Sequence, residues 1–319
     1  MHAPAPPDRG TAQVPLVPLG PDGPHLSAVV AGVWRMASWG MDPAARLRWI
    51  EACAALGVTS FDHADIYGDY AVEALFGEAL ALAPGVRERL QLVTKCGIRL
   101  VSARRPGHAL KSYDSSPAHV AASVEASLRA LRTDRVDLLL LHRPDYLADP
   151  DALGEAVERL RAAGKVLHFG VSNHRPSQLA LLRRRVPVAT NQVELSPLAT
   201  GALDDGTLDQ CLTLGVRPMA WSPLGGGRLF AADADPAGGA RAAQAARVRA
   251  ALEALGAERG VSAATAAYAW VARHPSRPVV VTGSRRVEAQ QEAAAALGVA
   301  LTAEEWYRVL EASRGHEVP

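Results

Sequence analysis

The sequence predicts an α/β fold, a (β/α)8 barrel of the TIM type. Short apolar runs alternate with longer helical patterns from residue 27 onward, and we count eight strands, each followed by at least one helix. Such alternation gives parallel strands, and eight units close into a barrel. The run over residues 136–141 is almost wholly apolar, as expected of a strand buried on both faces.

An open, doubly wound sheet is the alternative architecture. Such a sheet would carry a G-x-G-x-x-G turn directly after its first strand. No such turn follows residues 29–33. We therefore expect a single barrel domain over residues 14–319, preceded by a flexible, proline-rich arm over residues 1–13.

Strand and helix signals assign the elements in order along the chain. Asp42 and Pro43 begin the first helix as its cap and first-turn proline, and Gly57 ends it. The predicted strands cover residues 29–33, 58–63, 90–96, 136–142, 165–171, 188–193, 216–221 and 279–282. The later helices cover residues 72–82, 117–131, 151–163, 176–184, 204–214, 241–259, 263–272 and 286–297.

Two flanking segments are expected to complete the barrel. Residues 14–29 form a predicted β-hairpin that plugs the N-terminal end of the barrel. Thr302 and Glu305 form a capping box that begins an extra helix at the C-terminus. The longest loops follow the third and seventh strands, at residues 97–116 and 223–239, and loops at this end of a barrel carry function.

Composition excludes several classes of function. The 34 basic and 33 acidic side chains sum to +1, so no overall field favours nucleic acid or an anionic membrane. We find no apolar run of about 18 residues and no secretion signal, and we expect a cytoplasmic protein. The three cysteines are too far apart for a metal site, so we expect no metal and reduced thiols at Cys53, Cys96 and Cys211.

Lysine is rare in this chain. Only three of its 34 basic residues are lysines, namely Lys95, Lys111 and Lys165. Where arginine supplies the ordinary surface cation, a retained lysine is more often needed as an amine. This directs attention to Lys95, which ends the third predicted strand.

Four polar side chains follow or end three successive strands. Asp62 and Tyr67 follow the second strand, Lys95 ends the third and His142 ends the fourth. In a barrel these ends meet at one mouth. The Lys95 ammonium would lower the pKa of Tyr67, Asp62 would hold the ammonium, and His142 would bond the same substrate oxygen. The set predicts a proton donor facing a carbonyl that is being reduced.

Each of these residues also has an ordinary structural explanation when taken alone. Asp62 could cap a helix, and Tyr67 and His142 could be packed side chains. Lys95 could be a solvated cation or, as in barrel aldolases, a Schiff-base lysine. The nearby Asp65 is interpreted as a loop carboxylate.

Five short motifs resemble the signatures of the aldo-keto reductase family. In order, they are Asp-His-Ala-Asp-Ile-Tyr-Gly from residue 62, Thr-Lys-Cys-Gly from 94, Leu-His-Arg-Pro-Asp from 141, Gly-Val-Ser-Asn from 170 and Asn-Gln-Val-Glu-Leu-Ser from 191. The segment 219–230 and the C-terminal tail are similar to the bacterial YdhF-type group. The resemblance implies an NADPH-dependent reductase of aldehydes or ketones on a (β/α)8 barrel.

The resemblance also implies a role for each site residue. Tyr67 would be the general acid and base, Lys95 and Asp62 would tune its pKa, and His142 would orient a small carbonyl substrate. A nicotinamide would deliver hydride to the carbonyl carbon. The residues implied in cofactor binding are Gly32, Ser172, Asn173, Gln192, Trp221, Ser222, Leu224, Gly225, Gly227, Arg228, Gly283, Ser284, Arg285, Arg286 and Glu292.

The segment implied to bind the adenosine departs from the family pattern. Gly283 and Ala289 stand where the family often has cations, whereas Glu292 matches its adenine-binding glutamate. Arg285 and Arg286 could hold a 2′-phosphate from a new position, because guanidinium groups suit phosphate. We expect NADPH and NADP+ as the cofactor pair, with NADH as the alternative.

Aromatic side chains on the mouth loops are expected to form the substrate pocket, namely Trp34, Trp39, Tyr113 and Phe230. The resemblance favours a monomer, and we expect the protein to bind neither nucleic acid nor a membrane.

Two other functions stay open. One is a nicotinamide-binding, redox-sensing regulatory subunit with little turnover, like the potassium-channel β subunits of this superfamily. The other is a Schiff-base lyase that uses Lys95.

Overall fold

The computed structural model describes residues 13–231 and 239–319, so the predicted N-terminal arm, apart from Gln13, and residues 232–238 of the predicted loop 223–239 lie outside the described residues. The strands in chain order are β1 (Leu16–Pro18), β2 (His25–Ser27), β3 (Val29–Gly32), β4 (Ser60–Asp62), β5 (Gln91–Cys96), β6 (Ile98–Arg99), β7 (Ser112–Tyr113), β8 (Val136–Leu141), β9 (Val166–Ser172), β10 (Asn191–Glu194), β11 (Met219–Trp221) and β12 (Val279–Thr282).

Eight of these strands form a closed parallel barrel. Each barrel strand pairs with the next one along the chain, and β12 pairs with β3 to close the ring. The prediction of a (β/α)8 barrel is therefore confirmed, and the open sheet is excluded. The strand ends that the sequence predicted to meet share one mouth.

Helices cover the outside of the barrel. The helices are α1 (Pro43–Ala55), α2 (Tyr67–Tyr70), α3 (Val72–Leu80), α4 (Pro117–Leu131), α5 (Pro150–Ala162), α6 (Pro176–Arg183), α7 (Gly201–Asp204), α8 (Thr207–Leu214), α9 (Ala240–Arg259), α10 (Ala263–Ala272), α11 (Val287–Ala296) and α12 (Ala303–Arg314). Helix α1 begins as predicted, because the Asp42 side chain accepts a hydrogen bond from the Ala45 amide at 2.7 Å. None of the helices within residues 13–231 and 239–319 is long and apolar enough to span a membrane.

Local structure differs from the prediction in two places. The helix predicted over residues 204–214 begins only at Thr207, as α8, and an unpredicted short helix, α7, precedes it. Gly206 between the two helices adopts a left-handed φ of 80°. The predicted loop over residues 97–116 contains a small antiparallel hairpin, in which Ile98 of β6 lies opposite Tyr113 of β7. Strands of two residues carry no periodic signal that a sequence reading could detect.

Both flanking segments take the predicted form. β1 and β2 pair as a hairpin, and Leu19 and Leu26 are fully buried with Val30, Leu138 and other residues that point into the barrel. The hairpin therefore fills the N-terminal end of the barrel interior with apolar side chains. At the other end of the chain, α12 begins with the predicted capping box of Thr302 and Glu305.

Candidate active site

A cavity of about 900 Å³ opens at the C-terminal end of the barrel. Residues at the ends of most barrel strands line it, among them Asp62 of β4, Ser172 of β9 and Trp221 of β11. The volume is that of a site for a cofactor or another small ligand. Closing the barrel therefore brings together side chains that lie far apart in the sequence.

Lys95 is fully buried beneath this cavity. Its Nζ donates to Oδ2 of Asp62 at 2.7 Å, to the backbone carbonyl of His63 at 2.8 Å and to Oη of Tyr67 at 3.0 Å. Burial lowers the pKa of Lys95, but Asp62 and Tyr67 raise it, and the resulting pKa lies above its ordinary value. The ammonium is charged and its three donors are all used, which argues against a Schiff-base lyase.

Tyr67 accepts its hydrogen bond from Lys95, so its own hydroxyl hydrogen is available to a ligand in the cavity. Burial raises the pKa of Tyr67, the Lys95 ammonium lowers it, and the resulting pKa lies above its ordinary value. This corrects the expectation of a lowered pKa, because desolvation outweighs the ammonium. Tyr67 is therefore protonated at neutral pH, as a general acid must be.

His142 packs edge-to-face against Tyr67, with ring centroids 5.8 Å apart. Its Nδ1 is buried and has no hydrogen-bond partner within the described part of the chain. Burial, followed by the charges of Lys95, Arg143 and Lys111, lowers the pKa of His142 well below its ordinary value. The imidazole is therefore neutral, and one of its nitrogens carries a hydrogen that can be donated.

Amide and indole groups extend this site along the next strands. Gln192 donates from Nε2 to Oδ1 of Asp62 at 2.8 Å, so the same carboxylate holds both Lys95 and Gln192. Trp221 donates from Nε1 to Oδ1 of Asn173 at 3.1 Å. The arrangement holds the planar Trp221 ring beside the Asn173 amide, and both residues line the cavity together with Gln192.

The loop after β11 exposes its backbone to the cavity. Ser222, Gly226 and Gly227 line it with left-handed φ values of 52°, 68° and 95°. Backbone in this conformation presents N–H groups that form a concavity for an anion. Left-handed backbone at Ser222 is uncommon for a residue with a side chain and is typical of functional sites.

Residues around the end of β12 form another part of the wall. Gly283, Ser284, Arg286 and Glu292 line the cavity there. Arg285 does not, because its Nη1 donates to the backbone carbonyl of Trp39 at 3.1 Å. The structure thus separates the two neighbouring arginines that the sequence treats alike.

Three further predicted residues do not line the cavity. Trp39 is buried in the core and packs edge-to-face on Trp49, with centroids 4.9 Å apart. Gly225 is packed against Leu198, and a Cβ at Gly225 would lie 2.7 Å from that side chain. Arg228 donates from Nε back to the Gly225 carbonyl at 2.9 Å. In each case, the residue that was predicted to bind a ligand instead contacts other residues of the protein.

The remaining predicted residues lie on the cavity wall. Trp34, Tyr113 and Phe230 line it and are partly exposed, as expected of a substrate pocket. Leu224 also lines it. Gly32 lines it as well, and a Cβ at Gly32 would approach the backbone carbonyl of a β12 residue to 2.4 Å, so barrel packing also requires this glycine.

Three cationic residues on the wall were not predicted. Arg35 donates to the carbonyl of Gly226 at 2.8 Å, and its guanidinium lies 4.9 Å from the Trp34 ring. Lys111 and Arg143 also line the cavity. The scarcity of lysine was a signal for Lys111, and the position next to His142 was a signal for Arg143.

Asp65 is not an ordinary loop carboxylate. Its Oδ1 is buried and has no hydrogen-bond partner among residues 13–231 and 239–319. Burial and the nearby Glu73 raise the pKa of Asp65 well above its ordinary value. The surroundings of Asp65 therefore favour the protonated carboxyl group, which the sequence did not indicate.

Comparison with known proteins assigns this barrel to a family of enzymes. The model of the Aldo/keto reductase family matches residues 28–314. The chain belongs to this family, and it is an oxidoreductase of a class that uses nicotinamide cofactors.

The relatives of this chain include bacterial oxidoreductases that it matches along nearly their whole length. The chain is 45% identical to the oxidoreductase YdhF of Escherichia coli over 95% of this chain and 99% of that protein. It is 43% identical to a 6-dehydroglucose reductase of Agrobacterium fabrum over 92% of this chain and 96% of that protein. The predicted resemblance to the YdhF-type group is confirmed.

Solved structures of other proteins share the fold of this chain. The glycerol dehydrogenase of Gluconobacter oxydans superposes with a TM-score of 0.81 at 26% identity, over 94% of this chain and 95% of that one. A thermostable aldo-keto reductase, Tm1743, superposes with a TM-score of 0.75 at 24% identity and shows the shared fold.

Proposed function

We propose that the protein is an NADPH-dependent reductase of aldehydes and ketones. The observation that carries the proposal is the Lys95 ammonium, which bonds the Asp62 carboxylate and the Tyr67 hydroxyl together beneath the cavity. This couples a proton donor to a buried, charged pair at the mouth of the barrel, where the cavity opens. The name of the Agrobacterium relative, a reductase, agrees with this direction of reaction.

The cavity fits a nicotinamide cofactor. The side-chain amides of Asn173 and Gln192 suit its carboxamide, and the Trp221 ring offers a face for stacking. The left-handed backbone around Gly226 suits a pyrophosphate. The arginine at position 286 suits a 2′-phosphate, which is why we propose NADPH over NADH. When bound, the cofactor supplies hydride to the carbonyl carbon.

The protein side chains handle the substrate oxygen and its proton. Tyr67 donates its hydroxyl hydrogen to the oxygen as the carbonyl is reduced. The neutral imidazole of His142 donates a hydrogen bond to the same oxygen and orients it. Lys95 stabilises the phenolate that the proton transfer leaves, and Asp62 keeps the ammonium in place.

Replacing Tyr67 with phenylalanine tests the proposal. Tyr67→Phe removes the proton donor but keeps the ring, so reduction should slow by at least about 100-fold. The affinity for NADPH, measured by quenching of tryptophan fluorescence, should stay the same. Turnover near the wild-type rate in this variant would contradict the assigned role of Tyr67.

The wild-type protein supplies the complementary experiment. We expect tight binding of NADPH, weaker binding of NADH and NADPH oxidation with simple aldehydes. Tight binding without turnover of any carbonyl would instead favour the regulatory subunit that turns over little. Absence of binding to either cofactor would contradict the proposal as a whole.

We further propose a monomer that acts on a small molecule in the cytoplasm. The three cysteines, Cys53, Cys96 and Cys211, are buried and unpaired, which agrees with a reducing compartment. Size-exclusion chromatography with light scattering would check the monomer. A mass near twice 33.6 kDa would contradict it.

A further inference from the structure

The wall of the cavity beside His142 carries two cations that have no acidic partner among the described residues. Lys111 and Arg143 both line the cavity. Neither side chain forms an ion pair or a hydrogen bond with another residue of the described ranges. By contrast, Arg99 lies 3.6 Å from Asp114 on the same side of the barrel. No acidic side chain in the described part of the chain therefore pairs with Lys111 or Arg143.

Lys111 belongs to a basic segment over the mouth. Residues 97–113 contain four arginine or lysine side chains and no carboxylate, although the whole chain has a net charge of only +1. Arg104 of this segment lies 3.8 Å from Asp69, and the Arg105 guanidinium lies 4.7 Å from the Tyr70 ring. Lys111 differs from these two arginines because it lines the cavity.

Arg143 is half-buried and directly follows His142 in the sequence. Its guanidinium lies 6.0 Å from the centre of the Trp221 ring, at the outer limit of a cation–π contact. Burial, Lys95, Arg143 and Lys111 together lower the pKa of His142. Lys111 and Arg143 thus line the same cavity as His142.

The acidic residues of the cavity do not cancel these charges. Asp62 is paired with Lys95 at 2.7 Å. Glu292 lies across the cavity on the β12 side, where it accepts a hydrogen bond from Ser262 at 2.8 Å. Asp69 lines the cavity but has Arg104 within 3.8 Å. Within residues 13–231 and 239–319, no acidic residue that lines the cavity therefore pairs with Lys111 or Arg143.

We infer that Lys111 and Arg143 select carbonyl substrates that carry a carboxylate. The inference rests on the proposed function, because it names the substrate class of the same site. A guanidinium and an ammonium together can bind a carboxylate through charge-assisted hydrogen bonds. The aromatic rings of Trp34, Tyr113 and Phe230 would cover the rest of such a substrate.

A matched pair of aldehydes tests this inference. 4-Carboxybenzaldehyde and methyl 4-formylbenzoate have the same ring and the same reacting group, and only the acid is charged. We expect kcat/KM for the acid to exceed that for the ester by about 10-fold to 100-fold, because hydrogen bonds to charged groups are strong. The ratio should fall as the salt concentration rises.

Variants locate the preference on the two cations. In the double variant Lys111→Met and Arg143→Met, the ratio should fall to about one, whatever happens to the absolute rates. When Arg143 is replaced with lysine instead of methionine, part of the preference for the acid should remain. Lys165→Met is the matched control, because Lys165 pairs with Glu125 outside the cavity, and this variant should keep the wild-type ratio.

The outcomes separate this inference from the proposed function. A ratio near one in the wild-type protein would overturn the selection of carboxylates, and so would a double variant that keeps the wild-type ratio. In either case, turnover of the ester would still support the proposed reductase function. Failure of both aldehydes, and of simple neutral aldehydes, to oxidise NADPH or NADH would overturn both.

Discussion

The Lys95 ammonium is held by three hydrogen bonds, and the sequence predicted two of the three acceptors. The pattern of strand ends predicted that Asp62, Tyr67 and Lys95 meet, and they do. It did not predict the third acceptor, the carbonyl of His63. It also did not predict the direction of the Tyr67 pKa, because desolvation depends on how deeply the fold buries the hydroxyl.

Arg286 and Arg285 allow a controlled test of the cofactor preference. Arg286→Ala should weaken NADPH binding by about tenfold and leave NADH binding unchanged, because only NADPH has the 2′-phosphate. Arg285→Ala is the matched control, since Arg285 points to Trp39 and not into the cavity. Fluorescence titration measures both affinities. Equal losses in the two variants would argue against a specific role for Arg286.

Elements with strong periodic or capping signals were predicted to the residue. α4, α10 and β12 have the predicted bounds, and Ser116 and Ser262 cap the two helices with side-chain hydrogen bonds. The β6–β7 hairpin and the four-residue helix α7 were missed. Strands of two residues and helices of about one turn are too short to show a periodic pattern.

The hairpin that plugs the barrel should contribute to stability through its buried leucines. Leu26 is fully buried inside the N-terminal end of the barrel, whereas Leu16 on the partner strand is 52% exposed. Leu26→Ala should lower the free energy of unfolding by about 2–5 kcal/mol through the cavity that it leaves. Leu16→Ala, as the control, should change it by less than about 0.5 kcal/mol.

Urea denaturation followed by circular dichroism would measure both hairpin variants. Similar losses in Leu26→Ala and Leu16→Ala would show that the hairpin does not act as a plug. Loss of NADPH binding in Leu26→Ala at a temperature where it stays folded would contradict a purely structural role.

Across the whole molecule, buried histidines should make the fold sensitive to acid. Burial lowers the pKa of His174 to about 4, and burial with the charge of Lys95 lowers that of His63 to about 3. The unfolded chain takes up these protons near pH 6.5. The contribution of these two histidines to the free energy of unfolding is therefore fully present above about pH 6.5. It is lost as the pH falls toward the pKa values of the folded state.

The acid effect is measurable by urea denaturation at two pH values. Between pH 7 and pH 5, each of the two histidines should cost about 2 kcal/mol of unfolding free energy. His174→Asn should reduce the loss of unfolding free energy between pH 7 and pH 5 by about 2 kcal/mol, whatever it does to stability at pH 7. A loss that is the same in His174→Asn as in the wild-type protein would contradict the assignment.

The barrel, the order of its elements and the four residues that carry the proposed chemistry could all be predicted from the sequence. Alternating apolar and helical patterns are local, and parallel strands must end at one mouth. Folding was needed to show that Arg286 and not Arg285 lines the cavity, that Trp39 is in the core and that Lys111 and Arg143 have no acidic partner among the described residues. Adjacent residues look alike in a sequence, whereas side-chain direction, desolvation and ion pairing depend on neighbours that the chain brings together only on folding.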